Sequence, residues 1–334
     1  MEQIQVMKLK KPDRNEAANI AVLGAGGLGM AAAKILGQKK EMRLAAIADK
    51  TGYIIDHNGI DPELLENKKP GDIGIRTDDA ITCIVENCRE FDGIFLALPN
   101  LTNNFIPEVV SMFAKAGFKG VMVDAMKRSQ AVEMIFGMDD MIKNASITYI
   151  TGAGATPGLL TCAAAIAANS FMEVTNVDIN FGVGVSNWES YRATIREDIA
   201  HLEGFNLEKA ANMTCAQIKN ELDKRRGILQ LYNMEHADDV LLERAGIVSR
   251  EKVTVSGVVD TRNPRKPVST TMTLTGKTFD GAFSSHRFIL GDETTMAANV
   301  VGPALGWMKA GFELHKRGIY GVFGSAELMP RFVK

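Results

Sequence analysis

Residues 22–36 read VLGAGGLGMAAAKIL. A short apolar run, NIAVLGA, leads into Gly24, Gly26 and Gly29, and an Ala-rich segment with helical spacing follows. The three glycines fit G-x-G-x-x-G between a strand and a helix, and each has its own physical task. Gly24 allows a sharp turn, Gly26 lets the backbone approach a pyrophosphate, and Gly29 permits close helix–sheet packing. Ala25, Gly27 and Leu28 complete the turn, and the unpaired N–H groups at the helix start attract phosphate. Twenty residues past Gly29, Asp49 ends the second apolar run, MRLAAIADK, where a carboxylate reaches the ribose hydroxyls of an adenosine. A carboxylate there repels a 2′-phosphate and favours NAD over NADP, while the adjacent Lys50 can offset that repulsion. The expected cofactor is NAD or NADP.

Outward from this unit, strand-like and helix-like segments alternate up to about residue 150: DGIFLALPN, NFIPEVVSMFAKAG, KGVMVDA, AVEMIFGMDDMIKN, SITYITGAG. Alternation at this spacing requires crossovers and predicts an α/β fold, a Rossmann-type doubly wound parallel sheet. After residue 158 the texture changes. A helix, LLTCAAAIAANSF, precedes VTNVDINFGVGV, a charged helical stretch over 192–226, and three strand candidates, KVTVSGVVDT, KPVSTTMTLTG and FSSHRFILG. This order suits a second α+β domain on a mixed sheet. The expected division is 1–155 and 156–334. A long helix broken or entered near Pro303 and the closing GIYGVFGSAELMP are candidates for packing back on the first domain.

Ligands of open α/β sheets lie beyond the carboxyl ends of the strands. Leu98, Pro99 and Asn100 at one such end are expected to pass near the nicotinamide half of the cofactor. Asp124, Lys127 and Arg128 follow the next strand, in VDAMKRS; Asp124 and Lys127 are candidate catalytic groups. In TGAGATPGLL, Pro157 is placed to start a helix and Thr156 to cap it, so Thr156, Pro157 and Gly158 could hold a substrate carboxylate. In YRATIREDIAHLEG, Arg192 and Arg196 share a helix face, as do Glu197 and His201. The arginines are candidate carboxylate ligands, and His201 a candidate acid or base beside a carboxylate. His286, in SSHRF, is another proton donor candidate. His57, His236 and His315 have no suggestive company. Asp292, Glu293 and Thr294 read as first-turn helix residues that complement the helix dipole.

The nucleotide turn VLGAGGLG, a strand ending ALP and a later G-x-x-P-G opening a helix together resemble the saccharopine dehydrogenase family, whose relatives include carboxynorspermidine dehydrogenase and homospermidine synthase. The resemblance covers most of the first 170 residues and the closing GIYGVFGSAELMP. It maps Gly24, Gly26, Gly29 and Asp49 onto the cofactor turn, and Gly154, Pro157 and Gly158 onto the turn that joins the domains. It implies an NAD(P)-linked oxidoreductase acting on a CH–NH group of a small carboxylated amino, oxo or imine substrate. Two alternatives stay open: a dinucleotide-binding sensor without turnover, and a transferase that uses NAD transiently.

The bulk composition is that of a globular protein. The chain has 334 residues, 46% hydrophobic and 23% charged, with a formal charge of −2, which offers no electrostatic footprint for nucleic acid or an anionic membrane. The start, MEQIQVMKLKKPDRNEAANI, lacks a signal-peptide core. Four scattered cysteines without a CxxC pair indicate neither a disulfide scaffold nor a metal site, and a cytoplasmic setting follows. A small-molecule substrate and a homo-oligomer, dimer or larger, are the expected partners.

Overall fold

The computed structural model describes residues 17–99, 102–291 and 296–334. In chain order, the first part runs β1 (Ala18–Leu23), α1 (Gly27–Leu36), β2 (Met42–Asp49), β3 (Gly52–Ile55), α2 (Pro70–Ile73), β4 (Ile75–Arg76) and α3 (Ala80–Glu86). It continues through β5 (Gly93–Leu96), α4 (Phe105–Ala116), β6 (Val121–Asp124), α5 (Ser129–Phe136), α6 (Asp139–Asn144) and β7 (Thr148–Thr151). Then come α7 (Leu159–Ala168), β8 (Glu173–Gly184), α8 (Arg192–Ala200), α9 (Leu207–Ala211), α10 (Cys215–Lys224), β9 (Ile228–Leu231) and α11 (Asp238–Arg244). The chain closes with β10 (Val253–Asp260), β11 (Thr270–Lys277), β12 (Phe283–Leu290), α12 (Met296–His315) and β13 (Gly321–Gly324).

The fold is α/β, with a parallel-rich sheet and a second, mixed sheet. The first sheet has the strand order β13-β7-β6-β5-β1-β2-β3-β4. All its pairs from β13 to β2 are parallel; only β3 and β4 are antiparallel extensions. A parallel sheet covered on both faces needs strands that are apolar throughout. Accordingly Ile20 to Leu23 are all inaccessible to solvent. Ala21 and Leu23 pack with Val109 and Phe113 of α4, whereas Ile20 and Val22 pack with α1 and with Leu305, Trp307 and Met308 of α12. Strand order reverses at β1, between β2 and β5, which opens a crevice beyond the carboxyl end of β1.

The second sheet has the order β12-β11-β8-β10-β9; β8 and β10 are parallel and the other pairs antiparallel. Alternating burial along β10 and β11 marks a sheet with one packed face. That face holds Val177, Ile179, Val255 and Leu274 against Leu160, Ile195, Ile199 and Ile218 from three helices.

Six segments differ from the sequence reading. The AVEMIFGMDDMIKN stretch is two helices, α5 and α6, because the chain turns at Gly137 and Met138. The carboxylate of Asp139 then accepts the Val322 N–H of β13 at 2.8 Å. The last long helix is neither broken nor entered at Pro303; it begins seven residues earlier and runs on to His315 with Pro303 inside. Strands β3, β4 and β9 are too short, at four, two and four residues, to show a period. Finally, α7 is capped differently from expectation: Gly158 is its N-cap, and Thr161 rather than Thr156 takes the Gly158 N–H at 2.8 Å.

Among the described residues no helix is long and apolar enough to cross a membrane. Asn100, Asp292, Glu293 and Thr294 lie outside the described residues.

Candidate active site

The glycine turn has the geometry its three tasks require. Gly24 has φ +104°, and a Cβ there would fall 2.3 Å from the Ala97 carbonyl oxygen. A Cβ on Gly29 would stand 1.7 Å from the Gly24 oxygen, so α1 can sit this close to β1 only with glycine there. Gly26 is the opposite case: nothing lies within 4 Å of its Cβ position. Open space over a helix N-cap is what a pyrophosphate needs. At the end of β2, Asp49 accepts the Thr51 N–H through Oδ1 at 2.8 Å. Among the described residues, Oδ2 of Asp49 has no hydrogen-bond partner.

This turn opens into a cavity of about 740 Å³ between the two sheets, within the range of small-molecule sites. Gly24, Ala25, Gly26, Gly27, Leu28, Asp49, Lys50, Leu98 and Pro99 line its first-sheet side. Thr156, Lys127, Glu197, Asp198 and His236 line its middle, and apolar residues of β8 and β10 its far side. The residues present fit a dinucleotide.

Lys127 is the best-held cation in the cavity. Its Nζ lies 2.8 Å from Oδ1 of Asp198 and 3.3 Å from Oε2 of Glu197, with its side chain 20% exposed. Burial by itself lowers the Lys127 pKa, but the two carboxylates more than offset it, and the pKa ends above the ordinary lysine value. The backbone around it is clamped by a segment more than a hundred residues away. The Lys127 carbonyl accepts the Ala237 N–H at 2.9 Å, Arg128 Nη2 pairs with Oε2 of Glu235 at 2.7 Å, and the Ser129 N–H donates to Oε1 of Glu235.

That clamp brings a histidine the sequence reading passed over. His236 is buried, and its Nδ1 lies 2.7 Å from Oδ2 of Asp238. Asp238 is fully buried and also accepts the hydroxyls of Thr156 (2.7 Å) and Thr161. A histidine whose Nδ1 faces a carboxylate has its ring orientation fixed and keeps Nε2 for a bound molecule. The spacing His-x-Asp in EHADD was the only sequence signal for it. Tyr191 was also missed: a Cβ on Gly27 would lie 2.3 Å from its Cε1, so its ring rests against the mouth of α1.

Other expected site residues are placed elsewhere. Asp124 is not available to a substrate. It is fully buried, and its carboxylate accepts Met126 N–H, Gly152 N–H, Tyr149 Oη and Thr151 Oγ1 at 2.7–3.2 Å. Burial raises its pKa against the pull of those four donors. His286 sits on β12, an exposed edge strand, with its ring edge-on to Phe171 at 5.2 Å. Arg192 donates to the Glu189 carbonyl and to Cys215 Sγ, and Arg196 to the Met213 carbonyl, so neither guanidinium lines the cavity. His201 terminates α8 outside the cavity wall. Its pKa is lowered to about 4, by burial first and then by Lys127 and Arg128. Pro157 and Gly158 shape the turn below Thr156; a Cβ on Gly158 would overlap the Gly154 backbone at 2.0 Å.

The model of the Glutamate/Leucine/Phenylalanine/Valine dehydrogenase family matches residues 3–87, the span of the glycine turn and Asp49. The fold and this match define the class: an NAD(P)-dependent oxidoreductase. The fold is shared with diaminopimelate (DAP) dehydrogenase of C. glutamicum in complex with DAP, at 15% identity over 94% of each chain and a TM-score of 0.58. It is shared equally with saccharopine dehydrogenase (L-Glu forming) of Saccharomyces cerevisiae, at 12% identity over 93% of this chain and 94% of that one, with a TM-score of 0.56. In sequence, the chain is 42% identical to the (S)-8-amino-7-oxononanoate synthase BioU of Haloferax mediterranei, over 94% of this chain and 99% of the relative. It belongs to the family of that synthase.

Proposed function

We propose that the protein uses NAD(P) to transfer a hydride at the carbon bonded to nitrogen or oxygen in a small carboxylated amino ketone or imine. The observation that carries this reading is the placement of the Lys127 ammonium, with Asp198 and Glu197 on it, in the same cavity as the glycine turn. The name of the Haloferax relative supports the substrate class, since 8-amino-7-oxononanoate is an amino ketone with a terminal carboxylate.

When bound, the nicotinamide supplies or accepts the hydride. The chain's residues do the rest. Gly26 and the start of α1 take the phosphates, and Asp49 takes the ribose. Lys127 Nζ donates a hydrogen bond or a proton to the carbonyl oxygen or imine nitrogen, and the two carboxylates keep it charged for that purpose. His236, oriented by Asp238, is the second proton-carrying group, and Thr156 ties Asp238 to the turn that opens α7. The apolar walls exclude water, which strengthens each of these interactions.

The test is an initial-rate assay with NADH and NADPH against 8-amino-7-oxononanoate and oxo acids with ammonia, and with NAD+ and NADP+ against polyamines. Turnover is expected with an amino or oxo compound, and Lys127→Met is expected to lower kcat by about 10²–10⁴-fold, the range for a positioned proton donor. Wild-type rates in that variant would remove Lys127 from the chemistry. A second reading rests on the relative's being a synthase: the nucleotide is used transiently and the hydride returned within each cycle. Product formation without net change in NAD(P)H absorbance supports that reading, and stoichiometric change supports a dehydrogenase.

A further inference from the structure

Three lysines line the cavity, and their circumstances differ. Lys50 follows Asp49 at the end of β2. Lys127 is held by two carboxylates. Lys266 is in contact with no carboxylate among the described residues; its Nζ donates to the Gly291 carbonyl at 2.7 Å. It is half-buried, on the connection from β10 to β11. That connection lies across the end of β8. A Cβ on Gly182 would meet the Val268 oxygen at 1.8 Å, and one on Gly184 the Arg265 oxygen at 2.2 Å. Both glycines are needed for the loop to lie this close, and the loop holds Lys266 over the strand ends.

Between Lys266 and the polar middle of the cavity, the wall is made of Phe181, Val183, Val259 and Leu290. The length of this wall along the strands follows from their register. Met234 is hydrogen-bonded at the level of Val255, whereas Gly182 and Gly184 pair with Val258 and Asp260. Three to five residues of extended strand span roughly 10–17 Å. The cavity therefore has a polar reacting end, an apolar stretch, and one cation at the far end with no carboxylate against it among the described residues.

We infer that Lys266 is the anchor for the distal carboxylate of an unbranched aliphatic substrate whose reacting carbon lies at Lys127. This inference rests on the proposed function and specifies its substrate class. In 8-amino-7-oxononanoate six bonds separate the ketone carbon from the carboxyl carbon. At about 1.2 Å of advance per bond this is roughly 7 Å, and a hydrogen bond of about 2.8 Å at each end brings the span to about 13 Å. An extended chain of that length fits the apolar stretch. A shorter substrate, such as a simple amino acid, reaches one end only.

The test uses the full chain with saturating nucleotide and three probes. These are 8-amino-7-oxononanoate, the same molecule with a methyl in place of the carboxyl group (2-aminononan-3-one), and nonanoate as a non-reacting ligand. A charge-assisted hydrogen bond corresponds to about a 10- to 100-fold change in affinity. Lys266→Met is expected to raise KM for the amino-keto acid and Kd for nonanoate by that factor. Its kcat should stay within about threefold, and its handling of the uncharged analogue should not change. Lys266→Arg is expected to restore most of the affinity, which a merely structural tie to Gly291 would not do selectively for the charged probes. Equal effects on charged and uncharged probes overturn the inference, as does a loss that falls on NADPH instead. Lys266-dependent binding of nonanoate without any turnover supports the anchor and sinks the proposed reaction. Absence of binding by all three probes in the wild type overturns both.

Discussion

Gly26 and Gly24 stand two residues apart and answer substitution differently. Gly26 borders open space, so a side chain there costs the fold little and would fill the place proposed for the phosphates. Gly26→Leu is expected to keep the unfolding midpoint within a few degrees, since surface changes are usually within about 0.5 kcal/mol. It should weaken NAD(P)H by more than tenfold in a fluorescence titration. Gly24→Ala, at φ +104° and against Ala97, should instead lower the midpoint. An unaltered nucleotide affinity in Gly26→Leu would take the turn out of cofactor binding. The backbone geometry of Gly24 and Gly29 was legible because the atoms that constrain them belong to the strand–turn–helix unit or to the chain just past its neighbouring strand β5. The Lys127–Asp198 pair was half legible. The strand end singled out Lys127, but its partner is 71 residues away and no spacing rule reaches it.

At the scale of elements, α8 shows where periodicity stops being informative. Residues three and four apart share a face, and Arg192 and Arg196 do lie together, but spacing does not say which face turns inward. The structure buries Glu197 and Asp198 and directs the arginines to backbone carbonyls. The same helix ends on His201, whose folded pKa of about 4 lies below the ordinary 6.5. The unfolded chain binds this proton more readily. Stability is therefore full above pH 6.5, falls as pH drops toward 4, and loses nothing further from this group below that. His201→Gln should flatten the chemical-denaturation midpoint over that interval and leave it unchanged at pH 8. A slope identical to wild type would show that His201 titrates normally. His236 escaped notice for a related reason: α11 is seven residues long, and its preceding loop acquires meaning only when Glu235 clamps the segment after β6.

At the scale of the molecule, the arrangement of two sheets follows from two textures of sequence, continuous apolar runs for the covered parallel sheet and alternating runs for the half-covered mixed one. Which strand would finish the first sheet was less legible. Strand β13 pairs with β7 along Thr148–Thr151, and α12 covers the face that holds Ile20, Val22 and Val121. A fragment of residues 1–155 lacks both, so it should aggregate or stay partly unfolded when expressed alone, with an exposed strand edge and an uncovered apolar face. Adding residues 296–334 through a flexible linker should recover a soluble form in gel filtration. A monomeric, cooperatively folding 1–155 fragment would contradict this.

Synthesis gives this layout a clock. From Thr151, the end of β7, to Gly321, the start of β13, a ribosome must add 170 residues. At roughly 5–20 residues per second this takes about 10–30 s, during which the nucleotide-binding half waits with one flank bare. The interval is long compared with the folding of a small domain. The emerging chain thus carries an unpaired strand edge beside β7 until its last residues are made.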